Sequence, residues 1–437
     1  MLLNKWLSSV ADVGREMLSR KNDSRKSKTL EEYCADLMSN KGEALGTAIA
    51  NEVATSYQTA DDEKKLSFFQ HLLEQYSPDP EAVITLANAY RDEPSYDSYV
   101  ALSEAIEAPR QKLFKRMNMA SKGTEVIVAL RKDFLRLVKD HPELKPIDFD
   151  LLHLLKSWFN RGFLTLAEID WNTPAVILEK LIEYEAVHSM SGWDDLKKRL
   201  GPNRRCYAFF HASLPNEPLI FVEVALVNGL ASAIDPLIDP NPYDNSHNDV
   251  LDTAIFYSIS NCQSGLAGIS FGNFLIKQVV MELKKECPQL TQFATLSPIP
   301  TFRRWLSHEL DNLESRFINS SSRTTLSLMN EVNWPASQEH CDLLQPILMK
   351  LCAQYLINAK KSGKPYDPVT RFHLGNGARI ERLNWLGDKS EKGLMQSAGL
   401  LVNYFYDIDE VEKNHEAFMN KGTISHSKDL AKLLQVS

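Results

Sequence analysis

A run of glycines, two serines and one histidine are the residues whose types and spacing could do chemistry in this chain. Gly265, Gly268 and Gly272 fall between an apolar run, Ala254–Ser260, and an amphipathic run, Asn273–Glu286. Glycines let the backbone approach a ligand without Cβ atoms in the way. A strand, a glycine loop and a helix start present N–H groups and a helix dipole to a phosphate. The spacing G-x-x-G-x-x-x-G is neither the dinucleotide fingerprint nor the P-loop, which needs a Gly-Lys-Ser/Thr ending. A flexible loop between strand and helix fits the same glycines.

Gly268-Ile269-Ser270-Phe271-Gly272 spells the nucleophile-elbow pattern G-x-S-x-G. An elbow needs the strand to run straight into its first glycine, and small and polar residues from Asn261 to Ala267 intervene. Ser270 is therefore read as a loop residue near the helix start, with a hydroxyl and an N–H that help hold an anion. Ser297, at the start of Ser-Pro-Ile-Pro, follows an extended segment, Gln292–Leu296. Ser followed by Pro is also a good helix N-cap with Pro at N1. His373 precedes Asn376-Gly377 in an apolar setting and reads as a positioned acid or base of near-neutral pKa. A packed histidine bonded to backbone is its bland alternative.

The elements that must position these residues follow from periodicity. Ala254–Ser260 is β-branched and aromatic, a buried strand. Asn273–Glu286 places Phe274, Leu275, Ile276, Val279, Val280 and Leu283 on one broad face, with Lys284 and Lys285 in the last turn. Arg205–Ser213 and Leu219–Val227 read as a hairpin around Leu214-Pro215-Asn216-Glu217-Pro218, and Asp235–Asn248 as a polar loop. Thr324–Val332 and Ser337–Lys361 read as helices. An antiparallel hairpin feeding a strand, loop, helix and strand predicts an α/β domain with a mixed sheet.

From Thr29 to about Leu200 nearly everything reads as helix, as in Leu66, Phe69, Leu72, Leu73 and in Ile127, Leu130, Phe134, Leu137. Thr173 is placed to cap a helix beginning at Pro174. His153, among apolar neighbours, reads as a satisfied core histidine, and His188 as packing. The expected class is α+β, with an all-α helical bundle over residues 1–190 used for assembly or support and a mixed α/β catalytic domain over 191–437.

Composition narrows the function. At 437 residues there is room for two or three cores. A net charge of −8 with no long basic stripe argues against a nucleic-acid binder. No apolar run approaches membrane-spanning length. Six scattered cysteines without a C-x-x-C pair predict reduced thiols in a cytoplasmic setting and no structural zinc. The first 28 residues carry seven Lys/Arg and three Asp/Glu, a net of +4. That suits a solvated helix with a frayed linker, or an organellar transit peptide, although Asp12, Glu16 and Asp23 are unusual in one.

The stretches YSIS, GLAGISFGNFLIKQV and LSPIPTFRRWL, followed by DPVTRFHLGNGARIERLNW and AGLLVNYFY, closely resemble malonyl-CoA decarboxylases. Gly201-Pro202-Asn203-Arg204-Arg205-Cys206-Tyr207 is similar to that family too. The likeness is dense over roughly residues 165–410. It implies decarboxylation of malonyl-CoA to acetyl-CoA and CO₂ without metal or redox cofactor. It also implies a catalytic domain with the fold of the GNAT acyltransferases, and a homo-oligomer, a tetramer in the family. Residue by residue it implies an acyl-CoA-binding loop at Ala267, Gly268, Ile269, Ser270, Phe271, Gly272 and Asn273. Ser297 and His373 match the catalytic pair, and Ser258 and Tyr406 match polar residues lining the site. Some relatives carry a glutamate where this chain has Ser270, so that carboxylate's role does not transfer. A GNAT-type acyltransferase and an acyl-CoA thioesterase remain the rival activities.

Overall fold

The computed structural model describes residues 28–39, 42–239, 251–269, 274–331 and 333–435. The basic segment before Lys28 and most of the polar loop before Leu251 lie outside them. The chain divides into two compact units: residues 1–164 with 211–215 and 263–270, and residues 165–210 with 216–262 and 271–437. No helix among the described residues is long and apolar enough to cross a membrane.

The first unit is helical. Its helices include Glu43–Gln58, Asp62–Gln75, Pro109–Met117, Gly123–Leu137 and Lys145–Trp158. Apolar residues spaced three and four apart bury one face of each. Tyr57, Phe68, Phe69 and Phe134 form an aromatic centre, with the Phe69 and Phe134 rings edge-on at 5.1 Å. Arg110 and Asp150 are buried as an ion pair at 2.5 Å, and Gln111 donates to the same carboxylate at 2.6 Å. Helices Pro80–Asp92 and Tyr96–Ile106 are capped by Asp79 and Ser95 yet bury no residue. His153 is exposed rather than a core residue; it falls on the polar face of its helix.

The second unit is built on a mixed eight-stranded sheet: β1 Leu164–Ile169, β2 Arg204–His211, β3 Ile220–Val227, β4 Thr253–Asn261, β5 Gln292–Thr295, β6 Ser297–Pro298, β7 Arg379–Asn384 and β8 Leu401–Phe405. β1 was expected as part of a helical run. Leu, Ala and Glu favour helix, so only pairing with β2 decides for strand there. β2, β3 and β4 pair antiparallel, and β4 runs parallel to β5. A register shift at Glu223/Val224 bulges β4 at Tyr257.

Helices Ala175–Tyr184 and Trp193–Arg199 bury Ile177, Leu178, Leu181 and Leu196 against Cys206, Ala208 and Phe221. Thr173 does not cap the first of these. Pro174 is its N-cap residue, and the Thr173 hydroxyl accepts from the Asp170 N–H. Alternate strand residues face opposite sides, so Tyr207 points away from Cys206 and Ala208. Its hydroxyl reaches Glu286, which puts helix Phe274–Glu286 on the other face. All six cysteines are free, and five are buried.

The parallel pairing of β4 with β5 ends at Phe256–Thr295, and the Leu296 N–H donates to Phe256 O at 3.0 Å. Beyond that point β6 pairs with β8 instead, Val402 against Ser297. The sheet therefore parts along the second half of β4. Ser297 stands in a strand rather than capping a helix; the following helix, Phe302–Asp311, has Thr301 as its N-cap residue. Of the other expected helices, the first starts earlier than Thr324, as Ser320–Leu326 continued by the 3₁₀ turn Ser327–Asn330, and Gln338–Asn358 is capped by Ser337.

Helix Pro368–Gly375 carries His373 and has both start signals. Pro368 is at N1, and the Asp367 carboxylate accepts from the Thr370 N–H at 2.9 Å. Thr301 and Tyr355 donate to the other Asp367 oxygen at 3.0 and 3.4 Å. The helix ends at Gly377, whose φ of +81° is left-handed and whose missing Cβ would lie 2.0 Å from Val411 O. Gly377→Ala should destabilise the protein by at least about 2 kcal/mol through backbone strain and overpacking. Urea unfolding of the variant measures it, and an unchanged midpoint would refute the close approach.

Candidate active site

Ser297 and His373 meet, although the chain between them carries several helices. Ser297 Oγ lies 3.1 Å from His373 Nε2. The serine hydroxyl also donates to Thr295 Oγ1 at 2.8 Å, and that oxygen accepts the Tyr404 N–H at 3.2 Å. On the far side of the imidazole, Nδ1 lies 2.8 Å from the Tyr406 hydroxyl. The ring stacks on Tyr404 with centroids 4.4 Å apart and planes inclined by 23°. Each piece is fixed by its element: β6 holds Ser297, the capped helix holds His373, and Tyr406 follows β8 with its N–H donating to Phe293 O at 2.8 Å.

The pair lines a cleft of about 250 Å³ where the sheet parts. One wall is β4, with Phe256, Ser258 and Asn261; the other has Ser297, Pro298, Pro368, Phe372 and His373. The lining is largely apolar with a few polar groups, as small-molecule sites are. Ser258 is in the cleft as expected, and its hydroxyl donates to the Glu185 carboxylate at 2.8 Å.

Burial sets the electrostatics. His373 is only 3% exposed, and burial lowers its pKa to about 3, well below the near-neutral value expected of a general acid. With only hydroxyls as partners, its imidazole is neutral at pH 7. Burial also raises the Tyr406 phenol well above its ordinary value, so it stays protonated. Beneath β4, Glu223 is pushed up to about 8 by burial, opposed by the Arg199 guanidinium 2.8 Å away.

The glycine loop divides. Ala267, Gly268 and Ile269 are described within the helical unit; Ser270, Phe271, Gly272 and Asn273 lie outside the described residues. Arg131 binds the carbonyls of Gly265 and Ala267 at 2.7 and 2.8 Å. A Cβ on Gly265 would lie 2.0 Å from Val128 O, so packing on helix Gly123–Leu137 explains that glycine. Gly268 is needed for its φ of +79°. The N–H groups of Ala267 and Ile269 are spent on Ser264 O and Leu266 O, so this part of the loop offers fewer donors than its sequence suggests.

Thr295, Tyr404 and Glu185 were not singled out by sequence. Thr295 lies just before LSPIPTFRRWL, and Tyr404 lies inside AGLLVNYFY with no role of its own suggested there. Glu185 sits in Glu185-Ala186-Val187-His188, where the histidine drew attention; His188 is half-buried, and desolvation lowers its pKa to about 4.

A neutral buried imidazole makes stability depend on pH. The unfolded chain binds the proton near pH 6.5 and the folded one only near 3, so His373's contribution is complete above about pH 6.5 and is lost as pH falls. For one such group the decline between pH 7 and pH 5 is up to about 2 kcal/mol. Unfolding free energies of His373→Gln should fall less steeply over that range than those of the unmodified chain. Parallel curves would contradict the assignment.

Residues 162–437 match the malonyl-CoA decarboxylase C-terminal domain and residues 76–159 the malonyl-CoA decarboxylase N-terminal domain. The chain is similar to the mitochondrial malonyl-CoA decarboxylase of Anser anser anser, 36% identical over 74% of this chain and 69% of that protein. The mitochondrial protein of Mus musculus is 36% identical over 75% and 71%. Among solved structures, the malonyl-CoA decarboxylase of Rhodopseudomonas palustris matches with a TM-score of 0.89 and 47% identity, covering 93% of this chain and 100% of that one. The Agrobacterium vitis protein matches with a TM-score of 0.87 and 44% identity over 93% and 100%. The chain belongs to the malonyl-CoA decarboxylase family.

Proposed function

We propose that Ser297 and His373 perform, in the cleft where the sheet parts, the reaction that family membership assigns to the chain: decarboxylation of malonyl-CoA to acetyl-CoA and CO₂. The observation that carries the assignment of residues is the buried contact of 3.1 Å between Ser297 Oγ and His373 Nε2.

Loss of CO₂ leaves an electron pair on the α-carbon, which the thioester carbonyl takes up as an enolate. The cleft must hold the carboxylate out of the thioester plane so that the breaking bond overlaps the π-system, using binding energy from elsewhere on the substrate. Donors aimed at the enolate oxygen are worth about 3–4 kcal/mol each in comparable sites. His373 Nε2 is such a donor, and Ser297 Oγ becomes one when its hydrogen turns from Thr295 Oγ1 to the ligand. A buried neutral imidazole gains affinity for a proton when an anionic carboxylate arrives beside it. In this reading substrate and proton enter together, with Nδ1–H donating to the Tyr406 oxygen. After CO₂ leaves, Nε2–H passes to the α-carbon directly or through Ser297. One proton is consumed per turnover and the imidazole is neutral again. The backbone of Ala267–Asn273 is read as the grip on the coenzyme's phosphates, on sequence likeness to the family.

The Ser–His contact also suits a serine nucleophile, hence a thioesterase. Against that reading, Nδ1 faces a phenol rather than the carboxylate that orients the base in serine hydrolases. Helices Pro80–Asp92 and Tyr96–Ile106 expose Ile84, Tyr96, Tyr99 and Ile106, which supports a homo-oligomer formed through the helical unit.

With malonyl-CoA as substrate, acetyl-CoA and CO₂ should be the products by mass spectrometry; free CoA with malonate would indicate hydrolysis. His373→Asn and Ser297→Ala should each lose about 10²- to 10⁴-fold in kcat. Unchanged turnover in either variant would remove that residue from the mechanism.

A further inference from the structure

The two walls of the cleft differ in hydrogen-bonding character. On one side the Ser297 hydrogen goes to a neutral hydroxyl, Thr295 Oγ1, from which it can turn to a ligand, and His373 Nε2 stands beside it. On the other, Ser258 of β4 is backed by Glu185, which is only 6% exposed. Both Glu185 oxygens lie within reach of the Ser258 hydroxyl, at 2.9 and 2.8 Å. One also accepts from Ser260 Oγ at 3.2 Å, and the other from the N–H groups of Val187 and His188 at 2.8 and 2.7 Å. Lys392 Nζ holds the carbonyls of Ala186 and Val187 at 2.7 and 2.8 Å, so the segment bearing the carboxylate is pinned.

A serine hydroxyl has one hydrogen and two lone pairs. Here the hydrogen is committed to Glu185, and Ser258 turns lone pairs to the cleft. We propose that Glu185 is a positioning residue: by holding the Ser258 hydrogen it makes the β4 wall an acceptor, which takes an amide N–H of the substrate's cysteamine arm and turns the malonyl carboxylate toward Ser297 and His373. The inference rests on the decarboxylase reading of the cleft and adds to it a reason for substrate orientation. A carboxylate set against lone pairs with a second carboxylate behind them is disfavoured by like charge. An amide N–H, two methylenes from the thioester sulfur, is the donor such a wall accepts.

The bond to the amide is made in ground and transition states alike, so losing it raises KM, and the loosened orientation of the acyl group lowers kcat as well. Steady-state kinetics of Ser258→Ala, Glu185→Gln and the double variant test this on two substrates. One is malonyl-N-acetylcysteamine, which keeps the amide; the other is the malonyl thioester of butanethiol, which lacks it. On the first, each single variant should raise KM about five- to tenfold, one hydrogen bond's worth, and the double variant should be no worse than either. On the second, all four proteins should show the same KM within about twofold.

Independent, multiplying effects of the two substitutions would overturn the proposal, as would an equal loss on the amide-free thioester. Should Glu185→Gln fail to fold, the Ser258→Ala comparison between the two substrates still decides. Turnover by the unmodified chain in the same assay reports on the decarboxylase reading itself. A chain that releases no CO₂ sinks that reading, whereas turnover without amide selectivity sinks only this one.

Discussion

The structure depends on keeping one imidazole buried with both of its nitrogens facing hydroxyl oxygens. His373 has Ser297 on one side and Tyr406 on the other. Burial without partners would be costly for any polar group, and burial with partners holds this one neutral. The surrounding elements follow from that requirement. The parallel pair β4 and β5 stops at Phe256–Thr295, and beyond it Ser297 pairs with Val402 of β8 while its hydroxyl meets His373. Asp367 gives its carboxylate to the helix start and to Thr301 and Tyr355, fixing the ring's height above the sheet.

Charge is arranged around the same constraint. Glu223 and Arg199 are paired under β4, and Glu185 is surrounded by hydroxyl and N–H donors. Among the described residues no carboxylate is bonded to His373 itself; its partners are Ser297 and Tyr406. The negative charge that would make the imidazole basic is thus left for a ligand to bring. In the proposed mechanism the malonyl carboxylate is both leaving group and the charge that loads the acid.

Much of this was legible in the sequence. The strand at Ala254–Ser260, the amphipathic helix after it, and the hairpin ahead of it carry period-two and period-3.6 patterns strong enough to be read alone. Ser297 and His373 were legible as chemistry, but their contact was not, because residues 76 apart meet only through the tertiary fold. The reason for the first glycine was not legible: Gly265 serves the packing of a loop on helix Gly123–Leu137, and only the folded chain shows the carbonyl of Val128 where a Cβ would stand. Glu185 left no local mark, since its partners Ser258 and Ser260 are more than seventy residues away. β1 was hidden because its residues prefer helix and its pairing does not.

The central claim is that the imidazole of residue 373 is neutral until an anionic acyl group fills the cleft. Nitrogen-15 chemical shifts of the His373 ring, recorded at pH 7 with and without a malonyl-CoA analogue that cannot lose CO₂, test it directly. The account predicts a neutral ring in the free protein and a doubly protonated one in the complex. A ring already charged in the free protein, or one that stays neutral with the analogue bound, would contradict it.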